Sequence, residues 1–193
     1  LAVAAGLYAG PVAGGKTGPQ MGFYDPALGG WPAPKGASPV LVAFYRSYLT
    51  AGDTAPVDAL IAALRAKGFA ACGAFAPSLK APGVSGWLSA HLAAHPPVAI
   101  LNATAFSARA DDGGTPFDAA DCPVFQVALS TARRRDWAAS DRGLSPADLA
   151  MHVVLPEVDG RIFAGLVSHK SPGKRHPDLQ FSRFAHRADA ERI

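Results

Sequence analysis

Val40-Leu41-Val42-Ala43-Phe44-Tyr45, entered from Pro39, is an unbroken apolar run with β-branched residues. A run of this length, bounded by proline, predicts a strand covered on both faces, as inside a parallel sheet. Outward from it the pattern changes period. Asp53 or Thr54 is placed to cap a helix with Pro56 in its first turn, and Val57, Leu60, Ile61 and Leu64 fall on one face before Gly68 ends it. Phe69–Phe75 reads as a second strand and Ser85–Ala94 as a second helix. His95-Pro96-Pro97 stops that helix, and Val98–Asn102 is a third strand.

The order βαβαβ implies right-handed crossovers and helices on both faces of the sheet. The expected fold class is therefore α/β, a doubly wound, mainly parallel sheet of flavodoxin-like or periplasmic-binding-like form. In such folds ligands bind beyond the carboxyl ends of the strands. A loop follows over Ala103–Asp121, then a strand at Pro123–Leu129 and a short helix at Arg133–Ala139 ending at Gly143. Ser145 is a natural N-cap for Pro146–Val154, with Asp148 as the acid of a capping box. Pro156 lacks an N–H and disfavours helix at Leu155, so the helix is expected to stop there, with Ile162–Val167 resuming as a strand.

Residues 1–38, crowded with glycine and proline, are expected to be an extended arm, residues 39–170 the α/β domain, and residues 171–193 a basic tail. A chain that opens at Leu1 without Met and closes in Asp189-Ala190-Glu191-Arg192-Ile193 suggests a longer parent, with the tail leading into its next element. With 193 residues, 49% apolar and 17% charged, a full core is available. The net charge of +3 is scattered, so nucleic-acid binding is not demanded. No apolar run reaches the ~18 residues of a membrane span. Cys72 and Cys122 stand far apart in apolar segments without metal-knuckle spacing, as expected of buried thiols in a reduced cytoplasm.

Gly10-Pro11-Val12-Ala13-Gly14-Gly15-Lys16-Thr17 matches the P-loop pattern letter for letter. A Walker loop needs a helix starting at the lysine, and Gly18-Pro19 follows instead, so ATP binding is not expected here.

Polar groups close each strand: Tyr45, Arg46 and Ser47, then Asn102, Thr104 and Ser107, then Gln126 and Ser130. An arginine there forks onto a carboxylate, and Asn102 or Gln126 serves an amide. Glu157 and Asp159, on a turn near His152, offer ligands for a divalent cation or a base for pulling protons from nitrogen. The same Pro-Glu-x-Asp-Gly stretch also suits a plain turn, with Gly160 at positive φ, and His152 on an apolar helix face also suits a core histidine. His169, His176 and His186, in the basic tail, are expected to be solvated.

Six ordered motifs resemble the CobN/magnesium-chelatase large-subunit family: Val40-Leu-Val-Ala-Phe-Tyr-Arg46, Ala51-Gly-Asp-Thr-Ala-Pro-Val-Asp-Ala-Leu-Ile61, Asn102-Ala-Thr-Ala-Phe-Ser107, Asp121-Cys-Pro-Val-Phe-Gln-Val127, Gly143-Leu-Ser-Pro-Ala-Asp-Leu-Ala150 and Leu155-Pro-Glu-Val-Asp-Gly-Arg-Ile162. The resemblance implies a segment of a cytoplasmic subunit that holds a tetrapyrrole while separate AAA+ subunits hydrolyse ATP to drive metal insertion. The wording around Asn102 and Pro156 is nearer the cobalt branch, which implies Co2+ and hydrogenobyrinic acid a,c-diamide as substrates. Mg2+ with protoporphyrin IX is the alternative, and a non-catalytic α/β binding module the third. The resemblance makes Glu157, with Asp159 beside it, the catalytic candidate, and Glu157 with the nearby His152 is the expected metal contact. Arg46, Asn102, Ser107, Gln126 and Arg161 become candidates for holding the macrocycle. The isolated segment is not expected to chelate alone.

Overall fold

In the computed structural model, residues 18–27, 39–175 and 182–193 are described. The described strands are β1 (Gly22–Tyr24), β2 (Pro39–Tyr45), β3 (Ala70–Ala76), β4 (Ala99–Asn102), β5 (Val124–Arg133), β6 (Ile162–Arg175) and β7 (Ser182–Ala188). The described helices are α1 (Arg46–Ala51), α2 (Ala55–Ala66), α3 (Val84–Ala94), α4 (Arg134–Ala138), α5 (Pro146–Leu149) and α6 (Leu155–Val158).

Alternation along β2 explains its unbroken apolar sequence. Val40, Val42 and Phe44 join one core cluster with Val57, Leu60 and Ile61 of α2. Leu41 and Ala43 join a second cluster with Leu88 and Leu92 of α3. With a helix over each face, every residue from Val40 to Phe44 is at most 2% exposed, and full burial of a large aliphatic side chain is worth roughly 1.5–3 kcal/mol. The strands lie in the order β1-β3-β2-β4-β5-β6-β7. The pairs from β3 to β6 are parallel, with antiparallel edges at β1 and β7. Counting parallel strands alone gives the order 2-1-3-4-5, so the expected α/β, mainly parallel, flavodoxin-like sheet is present.

Close approach sets one residue in β3. A Cβ on Gly73 would stand 2.8 Å from Phe44 Cε1 and 3.1 Å from Tyr24 Cβ, because Tyr24 of β1 lies directly opposite it. β1 sits within the segment expected to be an arm, and its Phe23 and Tyr24 are buried. The remainder of that arm, including the P-loop-like residues 10–17, lies outside the described residues.

Three further expectations change. The domain edge expected at residue 170 falls inside β6, which pairs antiparallel with β7 over Ser168–Arg175. His169 and His186, expected to be solvated, are 2% and 5% exposed, lying on opposite faces of the paired strands with Trp137 packed on one ring at 5.1 Å and Tyr48 on the other at 5.5 Å; His176 lies outside the described residues. The third departure is at Pro156. Leu155 is helical at φ −68 and ψ −40, and helix continues through Val158.

The physical reason is a widened turn. Residues Ala150–Val154 are π-helical, joining α5 to α6 without a break. In that geometry the carbonyl of residue i meets the N–H of i+5, and the wider turn leaves room for a proline ring. The carbonyl facing Pro156 is then that of Met151, which instead accepts the N–H of Phe106 at 2.8 Å. The helix ends in a Schellman motif: Arg161 N–H donates to Pro156 O at 3.3 Å, Gly160 N–H to Glu157 O at 2.9 Å, and Gly160 has φ +75.

Candidate functional site

The loop after β4 runs alongside the proline-bridged helix and is tied to it at both ends. Phe106 N–H meets Met151 O at one end, and Arg109 Nη2 donates to Val158 O at the other. Between these tethers the Asp159 carboxylate accepts the Ser107 hydroxyl and the Ala108 N–H, the latter at 2.6 Å. Arg161 Nη2 donates to the same carboxylate at 2.6 Å, with both side chains 1% exposed. Burial lowers the affinity of the Arg161 guanidinium for its proton, and Asp159 opposes that effect. Further hydrogen bonds hold the pair, as a buried ion pair requires, although Arg161 Nε is buried without a partner.

Arg161 extends the network into the sheet. Its Nη1 donates to Gln126 Oε1 at 3.1 Å and to Phe106 O at 3.3 Å. Asn102 Nδ2 donates to the same Gln126 oxygen at 2.7 Å, and Gln126 Nε2 donates to Thr104 O at 2.7 Å. Asn102 and Gln126 have no exposed surface. Of the residues expected to form the site, Asn102, Ser107, Gln126, Asp159 and Arg161 are thus brought together, as an interior network bonded to itself.

The others stand apart. Arg46 donates to the carbonyls of Pro19 and Gly18 at 2.8 and 3.3 Å. Above β2 and β4, the Tyr45 hydroxyl bridges the crevice by donating to Ala105 O at 2.8 Å and accepting Ala105 N–H at 3.1 Å. Glu157 is exposed on the last helical turn, and its carboxylate has no hydrogen bond or ion pair to another described residue. His152 is buried, with Nδ1 unpartnered, and burial lowers its pKa. Among the described residues no three His, Cys, Asp or Glu side chains form a group that could hold a metal. The expected pairing of His152 with Glu157 is therefore divided between interior and surface.

A depression of about 370 Å³ lies at the amino ends of β5 and β6, lined by Phe117, Asp118, Cys122, Asp159, Arg161 and Ile162 among others. The carboxyl ends of β5 and β6 hold a second polar cluster. Ser145 caps α5 as expected, its hydroxyl accepting Asp148 N–H at 3.1 Å. The Asp148 carboxylate does not complete a capping box; fully buried, it accepts the Ser130 hydroxyl at 2.8 Å and the Thr131 hydroxyl at 3.0 Å. Ser168 Oγ contacts His186 Nδ1 at 3.2 Å, and burial lowers the pKa of both His169 and His186.

Sequence reasoning missed Phe106 and Arg109. Phe106 is 49% exposed and has φ 66, a left-handed conformation in a bulky residue. The available signal was Pro156: a proline inside a helical pattern frees a carbonyl four or five residues upstream, and some donor must meet it.

The family model described as CobN/Magnesium Chelatase matches residues 11–193. The aerobic cobaltochelatase CobN protein of Sinorhizobium sp is 39% identical over 160 residues, which cover 81% of this chain and 12% of that protein. The magnesium-chelatase H-subunit of Rhodobacter capsulatus is 33% identical over 172 residues, covering 76% of this chain and 14% of that protein. The solved structure of the catalytic subunit of cobaltochelatase from Mycobacterium tuberculosis superposes with a TM-score of 0.67 at 28% identity, covering 90% of this chain and 15% of that one. This chain therefore spans only a small part of the length of the relatives it matches.

Proposed function

The chain belongs to the CobN/magnesium chelatase family, and from that membership we propose that it is part of the tetrapyrrole-binding region of a metal chelatase large subunit. The whole protein inserts Co2+ into hydrogenobyrinic acid a,c-diamide in the cytoplasm, with ATP hydrolysed by separate AAA+ subunits. The observation that carries this reading is the cobaltochelatase likeness in both sequence and fold. Insertion of Mg2+ into protoporphyrin IX is the second reading, supported by the likeness to the magnesium-chelatase H-subunit.

Metal insertion must remove the inner N–H protons of the macrocycle, two for a porphyrin and one for a corrin, and strip water from the incoming ion. Each task suits a carboxylate free to accept a proton or replace a water. Glu157 meets that requirement, being exposed on the last turn of α6 with its carboxylate unpartnered among the described residues. Asp159, two positions on, does different work. Two neutral donors and a buried guanidinium hold it, so it anchors the loop after β4 against the helix end and fixes the turn that presents Glu157. No helix among the described residues is long and apolar enough to cross a membrane.

The test uses the full-length parent protein with its ATPase subunits and ATP. Absorbance spectra follow Co2+ with hydrogenobyrinic acid a,c-diamide and, separately, Mg2+ with protoporphyrin IX. Cobalt insertion without magnesium insertion supports the first reading, the reverse outcome supports the second, and insertion of neither refutes both.

A further inference from the structure

Phe106 combines two unfavourable features. Its backbone is held at φ 66, a conformation costing a non-glycine residue about 1–2 kcal/mol, and its apolar ring is 49% exposed. The Met151 carbonyl and the Arg161 guanidinium hold the strained peptide from both sides. Strain that the surroundings maintain, at a residue whose ring stays half exposed, is characteristic of a binding surface. The π turn that frees Met151 O has the same association.

The neighbouring helix presents a matching face. Val154, Leu155 and Val158, at positions i, i+1 and i+4, are 52%, 37% and 55% exposed, and Ile162 just beyond is 54% exposed. The segment 106–109 is tethered to this helix at Met151 O by the Phe106 N–H and at Val158 O by the Arg109 side chain, so both exposed features belong to one region of the surface. Cationic charge marks the rim. The Asp159 carboxylate stands between two guanidiniums, Arg161 at 2.6 Å and Arg109 at 3.9 Å, so the rim keeps a net positive charge; Arg109, whose side chain is 43% exposed, also donates to Val158 O and Gly113 O.

We propose that Phe106 and the exposed face formed by Val154, Leu155 and Val158 are the platform on which one face of the macrocycle rests, with Arg109 meeting a peripheral carboxylate or carbonyl. A macrocycle with largely apolar faces and a periphery of acidic or amide groups matches an aromatic ring, a strip of aliphatic side chains and one rim guanidinium. This inference rests on the proposed tetrapyrrole-binding function and deepens it by assigning the surface that contacts the ring.

Phe106→Gly separates binding from folding. Glycine adopts φ 66 without strain, partly offset by its greater freedom when unfolded, so the variant loses the ring without losing the turn. Absorbance titrations of the full-length parent with hydrogenobyrinic acid a,c-diamide and with protoporphyrin IX give Kd for the wild type, Phe106→Gly, Phe106→Tyr and Val158→Ser. The expected result is at least a tenfold weaker Kd for Phe106→Gly with unchanged or higher Tm, a smaller loss for Val158→Ser, and near-normal binding for Phe106→Tyr. Wild-type affinity in Phe106→Gly overturns the inference while leaving the proposed function standing. Failure of the wild type to bind either macrocycle overturns both. Lower Tm with unchanged Kd in Phe106→Gly and Val158→Ser shows that another part of the polypeptide covers this face, which also overturns it.

Discussion

The Asp159 carboxylate and the Arg161 guanidinium meet at 2.6 Å, with each side chain 1% exposed, across the tip of the Schellman turn that ends α6. Two residues earlier, Glu157 faces solvent. One helix end therefore directs one acid inward and another outward, and the two are separable by experiment.

Asp159→Asn removes the charge that balances buried Arg161, and breaking a buried pair from one side costs about 3–5 kcal/mol. The loss falls on the loop fastened there. Hydrogen exchange of the amides in the loop between β4 and residue 110 is expected to speed by about 10²-fold or more, whereas Glu157→Gln leaves their protection within about twofold. Equal effects of the two substitutions would show that Asp159 is not a fastener.

Gly73→Ala tests the packing of β1 on β3. The new methyl would overlap Phe44 and crowd Tyr24, and overpacking of this kind costs about 1–3 kcal/mol. The urea midpoint is expected to fall, and Gly52→Ala serves as a control in which strain at φ +61 acts without any nearby atom.

Acid sensitivity follows from the buried histidines. Burial lowers the pKa of His152, His169 and His186 below the ordinary 6.5, so the folded state binds fewer protons than the unfolded one. The stabilisation is complete above pH 6.5 and is lost as pH falls through the lowered values. Asp148, Asp189 and Asp53 oppose the shift, while Lys170, Arg134 and Arg192 reinforce it. The urea midpoint is expected to drop between pH 7.5 and 5. The drop is smaller in His169→Phe, which keeps the ring contact with Trp137 at 5.1 Å but removes one titrating group. An identical drop in wild type and variant would remove His169 from this account.

Thiol reactivity separates the two cysteines. Burial pushes the Cys72 thiol up to about 12, and it raises half-buried Cys122 as well. At pH 8 iodoacetamide is expected to label Cys122 first, with Cys72 reacting only on unfolding. Faster labelling of Cys72 would contradict the packing of β3 between the two helical layers.

The parallel core was legible in the sequence because each step had a local cause: the apolar run Val40–Tyr45, the one-sided pattern Val57, Leu60, Ile61 and Leu64, and the proline pair after His95. Pro156 was misleading because proline breaks an α-helix but not a widened turn, and the donor that stabilises that turn lies 45 residues away at Phe106. The basic residues after 170 suggested a solvated tail, whereas β6 and β7 pair into the sheet and His169 and His186 lie buried on its opposite faces, against Trp137 and Tyr48. Asn102 and Gln126 were recognisable as functional-looking amides. Only their mutual 2.7 Å bond, which depends on the register of β4 and β5, shows that they satisfy each other inside the sheet.

The most direct measurement is the metal-insertion rate of the full-length parent carrying Glu157→Gln, assayed with its ATPase subunits and saturating macrocycle. A general base contributes about 10²–10⁴-fold, so the account predicts a fall in kcat of at least 10²-fold with macrocycle Kd within twofold of wild type. A kcat equal to that of wild type would contradict it.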